Sequence, residues 1–97
     1  MPGYETESIN RLVRTIAGIA DEEECRAFLF DLCTIKELQE MAQRLDTAVM
    51  LVKGKNYREI AEEIGTSTAT TSRVRRALDY GNGGYKSVIA KITGNEK

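Results

Sequence analysis

Residues 56–80 read NYREIAEEIGTSTATTSRVRRALDY, and the fold turns on how they are divided. Asn56 is a good helix cap, and Glu59 three residues on completes a capping-box pattern. Ile60, Ala61 and Ile64 then recur at helical spacing, which predicts a helix over about 57–64 with one apolar face. Gly65 follows, where a left-handed turn costs least because there is no Cβ. Ala61, four residues earlier, is small enough to let a second helix cross closely. That second helix is expected from Ser67 or Thr68 to Tyr80. At about 100° per residue, Thr70, Val74, Ala77 and Leu78 are assigned to its inward face. Thr68, Thr71, Ser72 and Arg75 are assigned to the outward face, with Arg76 at the edge. Two short helices around a tight turn are the helix-turn-helix unit, which sets its second helix in the DNA major groove.

The outward face carries hydroxyls at its N-terminal end and cations further on. Hydroxyls bond base edges or phosphates, and arginine forks suit phosphate oxygens or guanine. The plainer reading is a solvated or protein-binding amphipathic face. Threonine and serine are only middling helix formers. Their density over Thr66–Ser72 therefore favours the DNA reading.

Ninety-seven residues make one domain. The net charge of −1 and pI near 5.5 do not advertise a polyanion partner. The distribution does. Residues 1–52 hold five Lys/Arg against ten Asp/Glu, whereas residues 53–97 hold nine against five. An acidic half and a basic half suit a molecule with one face for DNA. The chain has no histidine, which removes the commonest general base and metal ligand and argues against an enzyme. No metal site and no catalytic cluster is expected. Cys25 and Cys33 are spaced too widely for a CxxC motif and read as reduced core residues. No signal peptide, membrane-spanning apolar run or lipidation motif is visible, so a soluble cytoplasmic protein is expected.

Outward from the central stretch, the other segments are also helical. Met1 to Thr6 is expected to fray. Ile9, Leu12, Val13, Ile16 and Ala20 predict an amphipathic helix from Glu7 to near Ala20. Asp21 with Glu24 opens a second helix, whose stripe is Cys25, Phe28, Leu29 and Leu32. Thr34 with Glu37 opens the longest helix, carried by Leu38, Met41, Ala42, Leu45, Ala48, Val49 and Val52 and closed by Gly54. Beyond Tyr80, the run Gly81 to Gly84 reads as a loop. Tyr85, Val88, Ile89 and Ile92 predict a last short helix before a polar tail from Gly94. No segment shows strand patterning. The expectation is an all-α, six-helix fold. Apolar stripes at both ends of so short a chain leave a thin monomeric core, so a homodimer presenting two recognition helices is expected.

With these residues in place, the chain resembles the Trp repressor superfamily, most closely its YerC/YecD-type branch. The likeness is carried by TIKELQEMAQRLDTAVMLVKG (Thr34 to Gly54) and by YREIAEEIGTSTATTSR (Tyr57 to Arg73), and it extends over about residues 7–93. The resemblance implies an intertwined all-helical dimer whose recognition helices read a palindromic operator in double-stranded DNA. It also implies an amino-acid co-repressor site in the tryptophan-responsive member, at positions that match Thr34, Arg44 and Arg73. Arg58 matches a phosphate-contacting position.

The sequence departs from that pattern. Val74 stands where the tryptophan-binding repressor has glycine, and Ala77 where it has serine. The loop after the long helix is one residue shorter. A valine side chain fills ligand space, and losing the hydroxyl leaves a polar group unpaired. Thr34 is then read as a helix cap, and Arg44 and Arg73 as ion-pair or phosphate partners. The functional expectation is a dimeric, sequence-specific DNA-binding regulator that acts as a repressor. Thr68, Thr71 and Ser72 would face bases, Ala69 would meet a thymine methyl, and Ser67 is counted among the DNA-binding residues. Arg58, Arg75 and Arg76 would sit on phosphates, with Lys53 and Lys55 adding attraction. The rival readings are a helical protein-interaction module of the same fold and a replication-accessory DNA-binding protein. The latter could not itself be an ATPase, for want of a GxxxxGK[ST] loop.

Overall fold

A first helical turn leaves four backbone N–H groups without intrahelical partners, and this chain places short polar side chains where those groups open. The computed structural model describes residues 6–93, as six helices with no strand among them. They are α1 (Glu7–Ala17), α2 (Glu22–Leu32), α3 (Ile35–Val52), α4 (Tyr57–Ile64), α5 (Thr68–Tyr80) and α6 (Gly84–Thr93). The Thr6 hydroxyl accepts from the Ile9 N–H at 3.2 Å, and the Asp21 carboxylate from the Glu24 N–H at 2.9 Å. Thr6 is therefore the cap of α1 and does not belong to a frayed segment. The rest of that expected fraying, and the polar tail from Gly94, lie outside the described residues.

Two full capping boxes are present. Thr34 Oγ1 accepts from the Glu37 N–H at 3.0 Å, and Glu37 Oε1 accepts from the Thr34 N–H at 2.7 Å. Asn56 and Glu59 repeat the exchange at 2.9 Å in both directions. The Thr34 backbone N–H, and then its hydroxyl, hold the Glu37 carboxyl below its ordinary value, because both bonds favour the charged form.

The chain divides into two units, residues 1–38 and 39–97. In the first, α1 ends at Ala17, earlier than its apolar spacing predicts, because Gly18 caps it with its N–H on the Arg14 carbonyl at 3.1 Å. Its apolar stripe is exposed throughout, Val13 by 60%. Along α2, Cys25, Phe28 and Leu29 are half-buried and Leu32 is exposed. Cys25 and Cys33 are free thiols. No described residue of this unit is buried.

The second unit holds the core: Ala48 and Leu51 of α3, Ile60 of α4, Val74 and Leu78 of α5, and Ile89 of α6. Val49, Met50, Ile64 and Tyr85 pack against it. Fully burying one such aliphatic side chain contributes about 1.5–3 kcal/mol. Helix α4 packs on α5, and α5 on α6. Between α4 and α5 the chain reverses at Gly65, whose φ of +80° is a left-handed conformation that a side chain would strain. Ala61 is exposed, which corrects its expected place under a close helix crossing. What it supplies to the turn is its carbonyl, which accepts from the Gly65 N–H at 2.9 Å.

Candidate nucleic-acid interface

The turn Gly65–Thr66–Ser67 delivers the chain into α5. Ser67 caps that helix: its Oγ accepts from the Thr70 N–H at 3.1 Å and donates to Thr70 Oγ1 at 3.1 Å. Its hydroxyl is thereby tied to the helix start. No acidic residue lies in the first turn of α5, so the positive end of the helix is left open to an anion.

Burial fixes which face of α5 looks outward, and it differs from the expected one by about one residue's step, roughly 100°. Thr71, Val74 and Leu78 form the buried line, Thr71 with only 1% exposure. Thr71 therefore does not belong to the outward face. Its Oγ1 donates to the Ser67 carbonyl one turn back at 3.1 Å, so the hydroxyl is satisfied locally and the side chain can be buried. Ala77, expected inward, is exposed, and Thr70 is half-buried. The outward face is centred instead on Ala69 and Arg76, with Ser72 and Arg73 beside them and Thr68 and Arg75 on one flank. Ala69, Ser72, Arg73 and Arg76 together line an open depression of about 270 Å³.

The cations differ in their engagement. Arg75 Nε lies 3.1 Å from Asp79 Oδ2, and Arg58 Nε lies 3.6 Å from Glu62 Oε2. Both are exposed i,i+4 pairs, worth a few tenths of a kcal/mol (about 0.3–0.5). Arg73 and Arg76 have no ion pair among the described residues.

On its other side Arg73 lines a second, polar pocket of about 200 Å³ with Thr70 of α5 and Glu40, Gln43 and Arg44 of α3. The structure thus brings Arg44 and Arg73 to one pocket. Thr34 serves in the capping box of α3, within the first unit. Sequence reasoning missed Glu40, Gln43 and Thr70 here. Glu40, Gln43 and Arg44 share one side of α3 by their spacing of three and four residues, and that was the available signal. Val74 is packed in the core. Among the described residues no group of Cys, Asp or Glu is placed to hold a metal ion, and no helix is long and apolar enough to cross a membrane.

A capped helix, a left-handed glycine and a second capped helix with a hydroxyl-and-arginine face define a helix-turn-helix protein. Comparison narrows the class. The model of the Trp repressor protein family matches residues 7–93, and the chain belongs to that family, whose members are non-enzymatic DNA-binding regulators. It is 44% identical over 90 residues to the Uncharacterized protein YerC of Bacillus subtilis (strain 168), covering 93% of this chain and 86% of YerC. The crystal structure of a TrpR like protein from Eubacterium eligens ATCC 27750 superposes with a TM-score of 0.86 at 40% identity, over 92% of each chain. A crystal structure from Staphylococcus aureus gives 0.85 at 39% identity, over 91% of this chain and 88% of that one. The chain has the six-helix Trp repressor-like fold and is a sequence-specific DNA-binding regulator of that family.

Proposed function

We propose that this chain works as a cytoplasmic homodimeric repressor that reads a palindromic operator with one α5 in each of two successive major grooves. The observation that carries this reading is the exposed face of α5, hydroxyl-bearing at its start and cationic beyond, with no acid in its first turn. Thr68, Ala69 and Ser72 meet base edges, with Ser67 holding the helix start. Arg58, Arg75 and Arg76 take phosphates. Support for the dimer comes from α1. An isolated helix of 11 residues is marginal in water, and this one exposes Ile9, Leu12, Val13 and Ile16 along one stripe. A second copy would cover it.

The polar pocket beside Arg44 and Arg73 encloses about 200 Å³. Small-molecule sites usually span about 300–1,000 Å³. With Glu40 among its walls, the reading is of DNA binding that needs no tryptophan; Val74 packs in the core and does not line this pocket.

Fluorescence-anisotropy titration of genomic and random duplexes over a salt series, with and without tryptophan, tests this. Tight, salt-dependent, selective binding that ignores tryptophan is expected. Arg76→Ala should weaken binding to all duplexes and flatten the salt dependence, whereas Thr68→Ala should change sequence preference by about 1 kcal/mol or more. Equal losses on specific and random DNA for Thr68→Ala would remove base readout there. Absence of binding to any duplex at low salt would move the function to a protein-interaction module.

A further inference from the structure

We infer that Thr47 and Thr66 are positioning residues that set the pose of the DNA-reading end of α5, and so govern sequence discrimination more than overall affinity. The inference rests on the DNA-reading role proposed above. Thr66 lies in the turn between two exposed residues, Gly65 and Ser67, yet is only 4% exposed. It is buried against Thr47, in the body of α3 and itself 0% exposed. The two hydroxyl oxygens stand 3.4 Å apart. Thr47 Oγ1 donates its one proton to the Gln43 carbonyl at 2.7 Å, so Thr66 must be the donor between them. The result is a relay from the turn into the backbone of α3: Thr66 hydroxyl to Thr47 hydroxyl to Gln43 carbonyl.

One residue further on, the Ser67 carbonyl accepts twice, from the Thr71 N–H at 3.0 Å and from Thr71 Oγ1 at 3.1 Å. Buried hydroxyls thus hold both residues that lead into Thr68, the first residue of α5. At 3.4 Å the bridge is long for an O–H···O bond and adds little stability by itself, so its effect is sought in the pose of the turn and not in the stability of the fold. Replacing Thr66 with valine leaves Thr47 bonded to Gln43, so no buried donor is orphaned. The turn loses its tether to α3. Bases are read only when side chains meet their edges in register, whereas phosphate attraction tolerates a shift. Loss of the tether should therefore act on discrimination.

The test compares wild type, Thr66→Val, Thr66→Ser, Thr47→Val and the double valine variant, each checked for an unchanged helical circular dichroism spectrum. Anisotropy is read on the best duplex recovered by selection and on a random duplex, across salt. Thr66→Val should lower the specific-to-random affinity ratio about three- to tenfold, in line with the worth of one hydrogen bond. The salt slope should hold, and the random-duplex affinity should change less than about twofold. Thr66→Ser should restore the ratio, and the double variant should be no worse than the worse single one. A valine variant that keeps its ratio, equal losses on both duplexes, or failure of serine to rescue would each overturn the assignment. Should valine impair folding, Thr66→Ser decides: a full ratio with serine upholds the tether, and a lost ratio in the folded serine variant overturns it. A wild type that prefers no duplex would overturn the DNA-reading role as well, which separates the two failures.

Discussion

The two units of this chain use the same local grammar and reach opposite results. Helix α1 is an amphipathic helix with a threonine cap, and α4 is one with an asparagine cap. Yet α4 buries Ile60 completely, and α1 buries nothing. Every buried side chain among the described residues lies between Thr47 and Ile89. An apolar stripe at helical spacing therefore says that a helix needs a partner, but not whether the partner lies in the same chain. In the second unit α3, α4, α5 and α6 each contribute to one core. In the first unit the stripe of α1 is exposed.

That contrast can be tested, and the largest effect is expected in the core. Ile60→Ala should cost about 2–5 kcal/mol in urea unfolding, since Ile60 is fully buried and its truncation leaves a cavity. Ile16→Ser is the matching probe of α1. If a second copy covers that stripe, the substitution should move the monomer–dimer midpoint in sedimentation equilibrium to at least about tenfold higher concentration. An unmoved midpoint would leave the first unit without the partner assigned to it.

A smaller effect, about 1–3 kcal/mol, is expected for Gly81→Ala after α5. A Cβ there would run into the Ala77 carbonyl, which already accepts the Gly81 N–H at 2.9 Å. A lowered urea midpoint at unchanged m-value would show it.

The smallest effect is at the Thr34–Glu37 box, which opens the helix that begins in the first unit. Glu37 has a folded pKa below its ordinary value, so the carboxylate's contribution is complete above that value. It is lost as pH falls through the lower, folded one. Protection of the Thr34 amide against hydrogen exchange, taken relative to the intrinsic rate at each pH, should fall on acidification below about pH 4.5, the ordinary value. In Glu37→Gln the same amide should show no such onset. An acid onset surviving in Glu37→Gln would assign the effect to another carboxylate.

The parts of the fold legible in the sequence are those made by bonds three or four residues long. The Thr34–Glu37 and Asn56–Glu59 boxes and the Gly65 turn stand where their spacing predicts. The span of α5 was legible too, but its rotation was not. Thr70 and Thr71 are chemically alike, and periodicity alone cannot tell which is inside. The choice depends on where the Thr71 hydroxyl finds its acceptor, a matter of local geometry. The same limit hid Thr47, whose place along α3 looks polar and whose partner lies 19 residues away. The end of α1 was misplaced because apolar spacing continues to Ala20 after Gly18 has stopped the helix.

The clasped arginines have a consequence for how such a protein would find its target. Arg58 and Arg75 each already hold a carboxylate one helical turn away. A phosphate must displace that carboxylate before it gains the charge. Each of those exposed pairs is worth only about 0.3–0.5 kcal/mol, so in the role proposed above a phosphate would take the carboxylate's place at little cost. Where the neighbouring side chains also find their bases, the exchange is completed. With about 10⁶–10⁹ wrong sites competing on a chromosome, the choice among them would then fall to the side chains that meet bases, and not to these two arginines.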